Sequence, residues 1–275
     1  MSATSKIAGC PIMVGINVDV DTLDAANAGK AGLYGRYSYG RYGVREGVWR
    51  LLDALAENSI AGTFFVIPQD ISRHDYVLKA ILDGGHEVAV RGHVRAQAGA
   101  QEQLDCLGLD RDALATLTGQ PPRGWRAVNG LVTEGTYPAL ARAGYLYDSS
   151  AQDDDTPYVM TSGNSDVGLV ELPVFDYLTD AVFYTHRHTD ARVLKAWREE
   201  ANAQFCAGGY INLTLHSRGD VGSGRPPRAR AVADFLRELG QRPGTAFYSG
   251  EALARAWRDS HKQVESYPTM PTPQT

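Results

Sequence analysis

Residues 13 to 21 read MVGINVDVD, and their alternation decides how the rest of the chain is read. Val14, Ile16, Val18 and Val20 fall on one face of an extended strand, and Asn17, Asp19 and Asp21 fall on the other. A face of branched aliphatics marks a strand packed on a core. Two carboxylates on the opposite face would repel each other if both were buried and ionised, so they require a cation or a shared proton.

Working outward, apolar strands alternate with amphipathic helices. VREGVWRLLDALAENSI carries Val44, Val48, Leu51, Leu52 and Leu55 at helical spacing, and AGTFFVI follows as a buried strand. YVLKAILDGG predicts a helix with Val77, Leu78, Ile81 and Leu82 inward and a glycine stop, and HEVAV the next strand. The rhythm continues through PPRGWRAV, TEGTYPALARAGY, LVELPVF, a helix over 191–205, YINLTLH, a helix over 228–239 and TAFYSGEALARAW. Such alternation implies a mostly parallel sheet in an α/β fold. No break marks a second domain within residues 1–262, and the polar, proline-containing residues 263–275 read as a tail.

The bulk numbers narrow the function classes. With 275 residues, 43% hydrophobic and 21% charged, the composition is that of an ordinary globular protein. A formal charge of −5 offers no basic field to gather phosphates, so nucleic acid is not an expected partner. No apolar run reaches the ~20 residues of a membrane span, and no signal peptide is legible at the start. Cys10, Cys106 and Cys206 are an odd, widely spaced set, expected to be buried and unpaired in a reducing, cytoplasmic setting. The expected partner is a small-molecule substrate, with self-association the one protein contact left open.

In parallel α/β folds ligands bind at the carboxyl ends of strands. The polar residues there are Asp19 and Asp21, Arg91 and His93, Arg126, and His216. His216 ends INLTLH on the same face as Asn212 and Thr214, which suits a proton-transfer role near neutral pH. In GGHEVAVRGHVRAQ, residues 84 to 97, Arg91 shares a face with Glu87 and Ala89, and His93 follows on that side if the strand persists. Arg95 lies in the loop beyond, as a surface charge or a substrate contact. His86, on the opposite face, reads as structural, and the His186/His188 pair as part of a polar loop. Residues 24–43 form a glycine- and tyrosine-rich loop that reads as a lid, from which Tyr42 is carried as a substrate contact.

In INVDVDT, GTFFVI, GHEVA, RGWRAVNG, LARAGYLYDSS, ELPVF and LTLHS, taken in order, the chain resembles the polysaccharide deacetylase superfamily, the NodB-homology or carbohydrate-esterase-4 fold, over residues 12–258. YSYGRYGVREGVWRLLDAL is more similar to the branch with allantoinase-type and cyclic-imide-hydrolysing members. The resemblance implies a distorted (β/α) barrel of about seven parallel strands. It also implies that Asp19 is the general base, Asp21 the metal-facing aspartate, Arg126 the residue that positions the base and His216 the general acid.

The family's H-x-x-x-H zinc ligands align with Arg91 and Arg95. Guanidinium is a donor only and no ordinary metal ligand, whereas zinc normally takes three protein ligands and a water. The expectation is therefore no metal and no cofactor, with Arg91 lying against Asp21 where the ion would be. The expected activity is hydrolysis of a C–N bond (amide, imide or ureide) in a small cyclic or carboxylate-bearing substrate. Arg91, Arg95 and Arg126 would supply the positive charge. Two alternatives remain: a metal-dependent sugar or glycan N-deacetylase using Asp21 and His93, and a non-catalytic binder of an anionic metabolite.

Overall fold

The structure is a computed structural model in which residues 7, 9–18, 20, 39–94, 99–133, 135–162 and 165–260 are described. Its strands are β1 Cys10–Asn17, β2 Thr63–Val66, β3 Glu87–Gly92, β4 Gly124–Ala127, β5 Tyr147–Asp148, β6 Tyr158–Ser162, β7 Ser165–Glu171, β8 Ile211–His216 and β9 Thr245–Tyr248. The main helices are α1 Val48–Glu57, α2 Asp75–Asp83, α3 Ala100–Thr118, α4 Thr136–Ala143, α5 Asp190–Ala207, α6 Pro226–Gly240 and α7 Gly250–Ser260. All nine strands join one sheet in the order β6-β7-β5-β4-β3-β2-β1-β8, with β9 added on β1. Every pairing is parallel except β6 with β7. This is the distorted (β/α) barrel of the NodB type.

Alternation along the strands divides the core in two. Val14, Ile16, Val18 and Val20 point outward and pack with Leu51, Leu55, Val77, Ile81, Trp197 and Phe235 of the surrounding helices. Met13, Phe65, Ala89, Tyr147, Val170, Leu172 and Tyr210 fill the interior, which Leu253 and Ala254 of α7 close from one end. The sheet path leaves β7 and β8 unpaired with each other, and side chains bridge that seam. Asn212 Nδ2 donates to the Pro173 carbonyl at 2.9 Å and to that of Leu172 at 3.4 Å, and the Tyr210 hydroxyl also donates to Pro173. A seam held by side chains opens room there for inserted groups, and the short helix Asp180–Thr185 sits beside β8 at this point.

Several expectations need correction. Leu82 is 39% exposed, because at about 100° per residue it lies some 40° beyond Leu78 on the helix, past the buried arc of Val77, Leu78 and Ile81. Cys206 is exposed and Cys106 half-buried; only Cys10 is buried, and burial pushes its thiol up to about 11. Helix α3 and the antiparallel strand β6 are elements that the βα rhythm did not name. His86 is structural as expected: its Nδ1 accepts from the Gly62 N–H at 3.1 Å and its ring lies against Phe64. Among the described residues no helix is long and apolar enough to cross a membrane.

Candidate active site

The site is built where β1, β3, β4 and β8 end. Parallel register sets Asn17 directly beside His216, and Arg91 directly beside Arg126. His216 is held on both ring nitrogens. Nδ1 lies 2.7 Å from Asp180 Oδ1, and Nε2 lies 3.0 Å from Asn17 Nδ2. Asp180, the first residue of the short helix beside β8, is wholly buried, and its carboxylate is fully occupied. Oδ2 accepts from the His216 backbone N–H at 2.9 Å and from Ser223 Oγ at 2.7 Å, while Oδ1 takes the ring. A carboxylate so held fixes an imidazole's orientation and stabilises its protonated form. The His216 side chain is 12% exposed, so part of the ring still reaches the surface at the strand ends.

Arg126 lies behind this row. Its guanidinium stacks over Phe65 at 3.9 Å and donates to the Ser149 carbonyl at 2.9 Å and hydroxyl at 2.8 Å. Nη1 faces Thr214 Oγ1 at 3.4 Å and Asn17 Oδ1 at 3.5 Å. Burial draws Arg126 down to about 10, which leaves it charged at neutral pH. Gly15 makes the room: a β-carbon there would lie 3.0 Å from Nη1. Its hydrogen bonds run to groups inside the barrel, Asn17 among them.

Arg91 is buried on the inward face of β3, as expected from Glu87 and Ala89, and its Nη2 donates to the Val128 carbonyl at 3.1 Å. Strand β3 stops at Gly92, so His93 leaves that face. It lines a small cleft with Val94, Gln103, Cys106, Leu107 and Thr136 on the helix side of the sheet. Partial covering of its ring and the charge of Arg91 hold it below the usual histidine range, against Asp110 and Asp70. The expectation that His93 continues the face of Arg91 requires the strand to persist, and the strand ends one residue before it. Tyr42 props the loop that follows β8: its hydroxyl accepts from Arg50 at 2.7 Å and donates to the Gly224 carbonyl at 3.3 Å, and Arg225 covers its ring at 4.3 Å. Gly47 lets that helical segment touch the loop, since a β-carbon there would collide with the Ser217 carbonyl. Asp19, Asp21, Arg95 and most of the tyrosine-rich loop lie outside the described residues.

Asp180, Asn17 and Ser223 were not singled out from sequence as site members. Asp180 stands after YLT and before the apolar AVF, a pattern that signals only a helix start. Its role comes from the seam that the fold leaves beside β8. Arg91, which the resemblance aligns with one of the family's two histidine ligand positions, is a buried guanidinium and has no lone pair to offer a metal. Among the described residues no three His, Cys, Asp or Glu side chains gather to hold an ion.

A curled parallel sheet with a carboxylate–histidine pair at its strand ends defines the class, and comparison with known proteins gives the family. The sequence profile described as polysaccharide deacetylase matches residues 30–147. A peptidoglycan deacetylase-like protein of Gibberella zeae is 32% identical over 172 residues, which is 60% of this chain and 49% of that protein. The chain thus spans about half the length of that curated relative. A Mycobacterium smegmatis protein assigned to the polysaccharide deacetylases is 31% identical, with a TM-score of 0.85 over 98% of this chain and 96% of that one. The PuuE allantoinase, 21% identical, superposes with a TM-score of 0.81 over 96% and 94% of the two chains, a likeness of fold. The chain belongs to the polysaccharide deacetylase superfamily.

Proposed function

We propose that the chain is a metal-independent hydrolase that cleaves a C–N bond in a small cyclic imide, ureide or related carboxylate-bearing compound. The observation that supports this reading is the presence of a buried guanidinium, Arg91, and a carboxylate-held histidine, His216, at the carboxyl ends of two strands of one sheet. In this reading Arg91 supplies the positive charge that stabilises the oxyanion. Asp19 takes a proton from water, and His216 delivers one to the departing nitrogen. Each device is worth about 10²–10⁴ in rate. Together they suit a strained or activated carbonyl better than an unactivated N-acetyl group, because a guanidinium does not bring bound water to a pKa near ~7 as zinc does.

The test is a panel of cyclic imides, ureides, lactones and N-acetyl sugars, run on the wild type and on Arg91→Gln. Turnover of a ring compound that Arg91→Gln abolishes supports the reading; unchanged kinetics in the variant rule out the role of Arg91. A second reading, a metal-dependent N-deacetylase, draws support from the peptidoglycan deacetylase-like relative. It predicts activity on the N-acetyl sugars that rises with added zinc. Tight binding of one compound without turnover of any would favour an anion-binding protein instead.

A further inference from the structure

Asn17 touches Nε2 of His216, and the orientation of its amide is determined by what lies on its other side. Asparagine presents an acceptor at one end and donors at the other, so which end meets His216 decides where the ring can carry its proton. Arg126 Nη1, a donor only, stands 3.5 Å from Asn17 Oδ1. Rotating the amide by half a turn would bring its NH₂ against a buried guanidinium, with two donors facing each other in a poorly screened interior. The oxygen therefore faces Arg126, and the nitrogen donates toward His216 Nε2 at 3.0 Å. On the opposite edge Asp180 accepts from Nδ1 at 2.7 Å. Gly15 and Ser149 fix the guanidinium that orients the amide, the first by absence of a side chain and the second by two hydrogen bonds.

We infer that Asn17, keyed by Arg126, is a positioning residue that holds His216 in the neutral form with its proton on Nδ1 and a hydrogen-bonded lone pair on Nε2. The inference rests on reading His216 as the proton-transfer group and deepens that reading. Nε2 has no proton to give at rest. It must first release Asn17 and take a proton from solvent, delivered by hydronium or by a water that leaves as hydroxide. Only then can the ring act as an acid and pass that proton to the leaving nitrogen. Asp180 stabilises the imidazolium formed in between.

The experiment is ¹⁵N NMR of protein labelled at the histidine ring nitrogens, with His216→Ala identifying the His216 signals among the seven histidines. At neutral pH the wild type is expected to show a protonated, pyrrole-type Nδ1 and a bare, pyridine-type Nε2. Asn17→Asp, which keeps the shape but removes the donor, should leave both nitrogens protonated and lower kcat by about 10-fold or more. Asn17→Leu should keep Nδ1 protonated and move the Nε2 signal toward that of a free lone pair. A protonated Nε2 in the wild type, or an Asn17→Asp ring indistinguishable from wild type, overturns the inference. The spectrum is read without turnover, so it decides the role of Asn17 even if the chain hydrolyses none of the test compounds. That outcome would count against the catalytic reading alone.

Discussion

At the amino ends of the strands, Glu87 accepts from the Tyr147 hydroxyl at 2.8 Å, from Thr63 Oγ1 at 3.0 Å and from the Glu251 N–H at 2.9 Å. Thr63 Oγ1 in turn accepts from the Gly250 N–H, so the first turn of α7 is capped by side chains of two strands. At the carboxyl ends, Asp180 is as fully satisfied, but one of its partners is a histidine with part of its ring at the surface. The chemical ingredients match: a buried carboxylate with three hydrogen-bond donors. The difference lies in what the donors are attached to. Glu87 ties a helix down, whereas Asp180 holds a histidine that is partly exposed. In the proposed reading the amino end of the barrel stabilises and the carboxyl end reacts.

Substitutions that separate stability from turnover test this contrast. The largest expected effect is at His216: His216→Gln, which keeps a donor near Asp180, should lower turnover by about 10²–10⁴-fold while stability changes by about 1–2 kcal/mol at most. Equal losses of both would erase the distinction between the two ends. The converse is expected for Glu87→Ala, which leaves Tyr147, Thr63 and the start of α7 unsatisfied. About 2–4 kcal/mol of stability should be lost, with turnover per folded molecule within about two-fold. Chemical denaturation together with active-site titration reads both quantities.

Between the two ends, Asp148 and Glu171 are paired in register and fully buried, and Asp148 Oδ2 and Glu171 Oε2 have no other hydrogen-bond partner among the described residues. Burial raises both, Asp148 to about 6 and Glu171 further, with the charge of Asp148 adding to the rise of Glu171. The folded chain therefore binds more protons than the unfolded one. The pair's contribution is fullest below the ordinary carboxylate range and is lost as pH rises, first through about 6 and then as Glu171 ionises. Glu171→Gln replaces the shared proton with an amide donor and should flatten that decline by about 1 kcal/mol between pH 5 and 8. A melting temperature with the same pH slope in both proteins would show that no proton is shared there. The smallest effect is expected from Gly15→Ala, which presses on the Arg126 guanidinium and should reduce turnover a few-fold with little loss of stability.

Much of this was legible in the sequence, for reasons tied to period and charge. Val14, Ile16, Val18 and Val20 alternate without interruption, so both the strand and its polar face were readable, and Asn212, Thr214 and His216 repeat the same pattern on β8. Helix α3 was not named because its buried residues are sparse, Gln103, Leu107 and Leu114, and its stripe is too narrow to stand out. Strand β6 runs against a rhythm that otherwise predicts parallel pairing. His93 was misplaced by one detail, the end of β3 at Gly92, which the continuing HVR pattern does not mark. Asp180 was invisible for a deeper reason: its contact with His216 depends on β8 lying at the end of the sheet path, a property of the curled sheet that no local stretch encodes.

The central claim is that a guanidinium occupies the place of the family's metal and that catalysis proceeds without an ion. Its most direct test is turnover of the best ring substrate by protein dialysed against a strong chelator, followed by titration with zinc, with metal content measured on the same samples. The claim predicts full activity in metal-free protein and no gain on adding zinc. Activity that disappears with the chelator and returns with about one equivalent of zinc would contradict it.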